Sequence, residues 1–274
     1  MPTVNPGVAD PGAGDPCLGD PCLGDPCLGD LCAEIERRLR EAGTPARAVG
    51  AKAYLKSSME FAGVTLPVIR RIVSDVTRGR SLSREDVRGL AEELWNRPLF
   101  ECRVVALILL TRHAGELRAG DAVLVERLIR QAGTWALVDD LAGKVMGSLV
   151  ERYSELGATL DRWADDDDFW IRRSALLALL GPLRKGGGDF DRFGRYADSM
   201  LAEQEFFIRK AIGWVLRDTA RRRPDMVADW LAPRAARASG VMMREAVKPL
   251  PPETARALMA AYAAGRKRPP GAAR

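Results

Sequence analysis

From residue 31 onward, apolar positions recur with a helical period and never settle into the alternation expected of a half-buried strand. The spacing predicts helices over residues 31–42, 45–56, 66–78, 84–96, 99–113, 121–132, 135–155, 158–165, 168–183, 190–203, 205–222, 224–236, 241–248 and 251–264. Local punctuation supports these boundaries. Asp30 is placed to cap the first helix, Thr65 precedes "LPVIRR", Ser83 heads "SRED", Gly133-Thr134 opens 135–155, and Pro224 starts a later helix. The connections are short, so successive helices should pack antiparallel. Helix pairs in series at about 35–45 residues predict an all-α fold, a superhelical solenoid of HEAT-like repeats with a concave groove.

Helical wheels at about 100° per residue then sort the side chains by face. In "TWALVDDLAGK", Val138, Leu141, Ala142, Val145, Leu149 and Tyr153 form an apolar arc that contains Trp135. Asp140 falls opposite, with Lys144 and Glu151, where water solvates it. Asp139 falls on the flank of the arc, about one turn from Trp135. A carboxylate there costs free energy unless it is compensated, and the structural ways to do so are a partner Arg in a core salt bridge or a cap for a neighbouring helix. In "FFIRKAIGWVLRDTARR", Ile208, Ala211, Ile212, Val215, Leu216 and Thr219 form the buried arc. Trp214 lies away from it, in line with Lys210, Arg217 and Arg221. That array suits a groove holding phosphates and presenting a ring, the alternative being a Trp that covers an adjacent repeat. In "DDDDFWIRRSALLALLG", the acids Asp165–Asp168 read as loop and N-cap charge. Arg172 and Arg173 interrupt an otherwise apolar helix, and each needs a carboxylate or a phosphate.

Charge sharpens this picture. The 274 residues carry a formal net charge of +5, but residues 1–30 hold five Asp and no Lys or Arg, so the remainder carries about +10. Only seven of the 42 basic residues are Lys. Arg-rich coding accounts for part of that ratio but not for the sign, and the balance points to a nucleic-acid partner. The longest apolar run, "VVALILL" (Val104 to Leu110), is too short to cross a bilayer, and no secretory signal is visible. The expectation is a soluble, cytoplasmic monomer with no membrane partner.

Residues 15–29 repeat "DPCLG" three times and a broken copy, "DLC", follows, so Cys17, Cys22, Cys27 and Cys32 recur every five residues. Zinc sites pair their thiolates more closely, two to four residues apart, so the segment 1–30 reads as a disordered low-complexity tail and no metal is expected. The helical domain is expected over 31–265, with a basic tail over 266–274. Cys102 reads as core, and Gly186–Gly188 as a loop.

Across most of residues 31–265 the chain resembles the AlkD-type bacterial DNA glycosylases, HEAT-like repeat proteins that remove alkylated purines. The likeness is densest in "AKAYLKSSMEFAGV", "TWALVDDLAG", "FWIRRSALLALL" and "EFFIRKAIGWVLRDTARRRPD". It implies that Asp139 is the catalytic aspartate, Trp135 its partner, Arg173 the active-site arginine, Trp214 the second cleft tryptophan and Tyr54 the cleft tyrosine. Arg217 falls on a DNA-backbone contact. Thr134 departs from the family, whose members often carry a second aromatic there.

The implied chemistry needs few groups. An N3- or N7-alkylpurine is cationic and leaves without a general acid, so His113 is not required. Asp139 would stabilise an oxocarbenium ion and place a water in duplex DNA carrying alkylated purines, with the Trp rings adding cation–π contact and Arg173 and Arg217 clamping phosphates. No cofactor is expected. The alternative is a non-catalytic HEAT-like module that binds DNA or protein through the same groove.

Overall fold

In the computed structural model, residues 27–267 are described. They form α1 (Leu28–Glu41), α2 (Pro45–Leu55), α3 (Leu66–Val76), α4 (Arg84–Asn96), α5 (Phe100–Arg112), α6 (Ala122–Ala132), α7 (Trp135–Asp140) and α8 (Gly147–Arg152). There follow α9 (Gly157–Ala164), α10 (Phe169–Ala178), α11 (Leu180–Arg184), α12 (Phe190–Ser199), α13 (Phe206–Ala220), α14 (Pro224–Leu231), α15 (Gly240–Ala246) and α16 (Pro252–Lys267). The only extended pairing among the described residues is an isolated bridge between Glu60 and Leu99. The fold is all-α, a superhelical solenoid of HEAT-like repeats.

The repeat is written in side-chain contacts that step along the outer layer. Glu92 on α4 accepts from Arg127 on α6 at 2.6 Å, and Glu126 accepts from Arg162 on α9 at 2.6 Å. Asp161 accepts from the Tyr196 hydroxyl on α12 at 2.5 Å, and Asp198 accepts from Arg234 beyond α14 at 2.7 Å. Each partner lies 35 or 36 residues further along the chain, which is the repeat length made physical. Such nearest-neighbour contacts are how a solenoid holds its curvature. A second layer, α3, α5, α7–α8, α10–α11, α13 and α15, packs in sequence along the inner side.

The expected 168–183 helix breaks at Leu179 into α10 and α11, and the expected 224–236 helix ends at Leu231; otherwise the boundaries follow the expected chemistry with two further differences. Ser83 caps α4 in a capping box with Asp86, Asp168 caps α10 through Trp170 N at 2.8 Å, and Pro224 opens α14. The first helix begins earlier than expected: Cys27 is its N-cap, and Asp30, at the third helical position, accepts from the Cys27 backbone N–H at 3.2 Å. Asp30 therefore caps from inside the helix. The broken repeat copy enters the core, because Cys32 is fully buried. The rest of the 1–30 expectation lies outside the described residues. At the other end α16 runs to Lys267, so Arg266 is helical.

The second difference is inside the expected 135–155 helix. The stretch Leu141–Met146 is π-helical and separates α7 from α8. It packs against α10, and just past it a Cβ on Gly147 would sit 3.0 Å from the Ala178 carbonyl oxygen. Widening the turn lets α7 keep its own phase while α8 returns to the core, a device found often beside functional sites.

Candidate active site

The π-helical turn sets where α7 points. Thr134 caps α7 by accepting from Ala136 N at 3.5 Å. Leu137 and Val138 are fully buried, which anchors the helix, whereas Trp135 and Asp139 remain partly exposed. Asp140 faces solvent and pairs with Lys144 at 2.7 Å. The two neighbouring acids thus differ as their wheel positions predict.

Asp139 retains only 15% of its side-chain exposure. Its two oxygens accept from Arg173 Nε at 2.8 Å and Nη2 at 2.9 Å. The third nitrogen of Arg173, Nη1, donates to the Phe207 carbonyl. The guanidinium is 2% exposed and stacks near the Phe207 ring at 5.8 Å. This corrects the expectation that Arg173 clamps a phosphate: its three nitrogens are committed inside the protein, and it holds Asp139 instead. The neighbouring Arg172 pairs with Glu203 at 2.8 Å and turns away.

Around this pair lies a cleft of about 560 Å³, lined by Tyr54, Trp135, Asp139, Arg173, Phe206, Phe207, Lys210, Trp214, Arg217 and Glu245. The structure therefore gathers seven of the eight sequence-derived candidates in one place. Tyr54 reaches in from α2, a helix with no buried residue, and sets its ring edge-on to Trp135 at 6.1 Å. Trp214 stands on the cleft side of α13 with its Nε1 donating to Asp218 at 3.2 Å. Arg217 lies between the cleft and a shallower depression and is braced by Asp218 at 3.1 Å and Glu245 at 2.5 Å. Arg221 is the exception: it lines that depression with Lys248, outside the cleft.

Sequence reasoning missed Phe206, Phe207 and Glu245. Phe206 had a signal, since it lies four and eight residues before Lys210 and Trp214, on the same helical face. It is 50% exposed, and Lys210 Nζ sits 5.7 Å over its ring. Glu245 arrives from α15, a different repeat, and no pattern along the chain marks it. Among the described residues, no group of three or more His, Cys, Asp or Glu is placed to hold a metal ion. No described helix is long and apolar enough to cross a membrane.

Fold and cleft together define a HEAT-like helical repeat protein with a carboxylate set among aromatic rings. Residues 35–250 match the protein family described as DNA alkylation repair enzyme, and the chain belongs to that family. Among solved structures, it is similar to a predicted DNA alkylation repair enzyme from Enterococcus faecalis, at 24% identity and a TM-score of 0.67 over 77% of this chain and 97% of that one. It is similar also to AlkD2 from Streptococcus mutans, at 16% identity and a TM-score of 0.55 over 82% and 99%. No curated protein matches the sequence significantly.

Proposed function

We propose that this protein is a DNA glycosylase that hydrolyses the N-glycosidic bond of cationic N3- or N7-alkylated purines in duplex DNA. The observation that carries the reading is the Asp139 carboxylate, clamped by Arg173 and opening on a cleft walled by Trp135, Trp214 and Tyr54. A core salt bridge alone would need no cleft beside it.

The mechanism follows from what each group offers. Arg173 binds both carboxylate oxygens through one lone pair each, and the remaining lone pairs are free for the reaction. Its charge offsets the cost of holding a carboxylate out of water. As the cationic base departs, positive charge builds on the deoxyribose, and the fixed carboxylate stabilises it while orienting a water towards the anomeric carbon. The faces of Trp135 and Trp214 add cation–π stabilisation of about 1–2 kcal/mol where water is excluded. Arg173 acts through Asp139 as a positioning residue. Lys210, Arg217 and Arg221 meet phosphates along the strand. The leaving base carries its own positive charge, so no general acid is required.

The discriminating experiment is product analysis on a duplex carrying a single 7-methylguanine. Free 7-methylguanine together with an alkali-labile abasic strand supports the glycosylase. Salt-sensitive retention of the duplex with neither product supports the non-catalytic binding module.

A further inference from the structure

Several Arg of the outer ladder are neutralised by a carboxylate one repeat away, as in Arg130 with Asp166 and Arg234 with Asp198. One large hollow gathers Arg without such partners. A pocket of about 570 Å³ between the loop before α13, the start of α15 and the end of α16 is lined by Arg209, Arg237 and Arg266, with Gln204, Ser239 and Gly240, and no acid lines it. Arg209 is held only by neutral acceptors, donating through Nε to the Glu203 carbonyl at 2.6 Å and through Nη2 to the Gln204 amide oxygen. Arg266 rests on Tyr262, donating to its hydroxyl at 3.3 Å with the guanidinium 5.9 Å from the ring. Arg237 has no side-chain hydrogen bond or ion pair among the described residues.

From this we propose a second anion site, separate from the cleft, that takes a backbone phosphate of the DNA strand flanking the lesion. Arg209 and Arg266 are held by neutral partners and Arg237 by none among the described residues, so all three charges stay unanswered, and the fork of a guanidinium matches phosphate oxygens in bidentate fashion. Gly240 lets α15 pack closely on Tyr262, the residue that also holds Arg266: a Cβ there would lie 2.7 Å from the Tyr262 hydroxyl. The two hollows share elements: Gly240 of the pocket and Glu245 of the cleft are five residues apart on α15, about 7.5 Å along the helix and about 140° around it, so a backbone that turns the edge of α15 can meet both. Arg209 of the pocket likewise adjoins Lys210 of the cleft on α13.

This site rests on the reading of duplex DNA as the substrate, and the test separates the two claims. Binding of the full chain to an undamaged duplex is measured against salt concentration by fluorescence anisotropy. Wild type should show a steep log–log salt dependence. The Arg237→Gln/Arg266→Gln variant should lose about 0.9 of that slope for each phosphate no longer neutralised. Arg237→Lys/Arg266→Lys should keep the slope, since the charges remain. A Gln variant with the wild-type slope overturns the site and leaves the cleft reading standing. A wild type without salt-dependent DNA binding overturns both. Calorimetric binding of inorganic phosphate that the Gln variant loses, with the DNA slope unchanged, assigns the pocket to a free anion and overturns the backbone assignment.

Discussion

Arg173 and Asp139 lie one repeat apart, 34 residues in sequence, and meet through two parallel hydrogen bonds of 2.8 and 2.9 Å. The same Arg173 reaches the Phe207 carbonyl, 34 residues further on. One guanidinium thus ties three successive repeats together at the point where the cleft opens. On the proposed mechanism structural and functional roles coincide at this pair, and the two are separable by experiment.

Arg173→Met alone leaves a half-buried carboxylate without its partner and should destabilise the fold by about 3–5 kcal/mol. Asp139→Leu/Arg173→Met removes both charges and should recover most of that loss. Urea denaturation checks the stability, and base release checks the function. The double variant should be folded and inactive. Recovery of base release along with stability would show the pair to be scaffolding.

On the proposed mechanism the Trp135 and Trp214 rings that line the cleft meet the developing charge, so their contribution should appear in the chemical step. Replacing either with Leu should slow single-turnover base release about 5- to 30-fold, the equivalent of 1–2 kcal/mol. Loss of duplex affinity with an unchanged single-turnover rate would place them in binding alone.

The outer ladder should set acid stability. Glu126 is held down to about 2, first by its hydrogen bond from Arg162 and then by those from Arg130 and Trp163, against the opposing cost of burial. Its carboxyl is therefore more acidic folded than unfolded, where it titrates near 4.5. That contribution is complete above about pH 5 and is lost as pH falls towards 2. Glu126→Gln should flatten the decline of the thermal midpoint across that window, measured by circular dichroism at several pH values. An unchanged profile would remove Glu126 from the account.

The core thiols should be inert. Burial pushes both Cys32 and Cys102 up to about 12, so neither forms appreciable thiolate at pH 8. Iodoacetamide at that pH, followed by peptide mass spectrometry, should leave both unmodified in the native protein and label both in urea. Native labelling of Cys32 would mean that α1 opens readily.

Much of this was legible in the chain because solenoid helices carry their own periodicity. Ser83, Asp168 and Pro224 stand at helix starts for reasons of local hydrogen bonding, and the wheel that separated Asp139 from Asp140 needed only the apolar arc around Val138 and Leu141. What the sequence hid was of two kinds. The π-helical stretch Leu141–Met146 packs against α10, a contact between repeats that no local pattern encodes. The commitment of Arg173 to Asp139 is equally non-local: a wheel shows that a buried Arg needs an anion, but not whether protein or DNA supplies it. Glu245 in the cleft and the neutral anchoring of Arg209 are invisible for the same reason.

The most direct measurement is single-turnover release of 7-methylguanine from a duplex by wild type and by Asp139→Asn, with duplex affinity measured in parallel. Release by wild type, with a fall of at least about 100-fold in the variant at near-unchanged affinity, is the predicted result, in keeping with loss of a preorganised charge at the reacting centre. Equal release by both proteins would contradict the account at its centre.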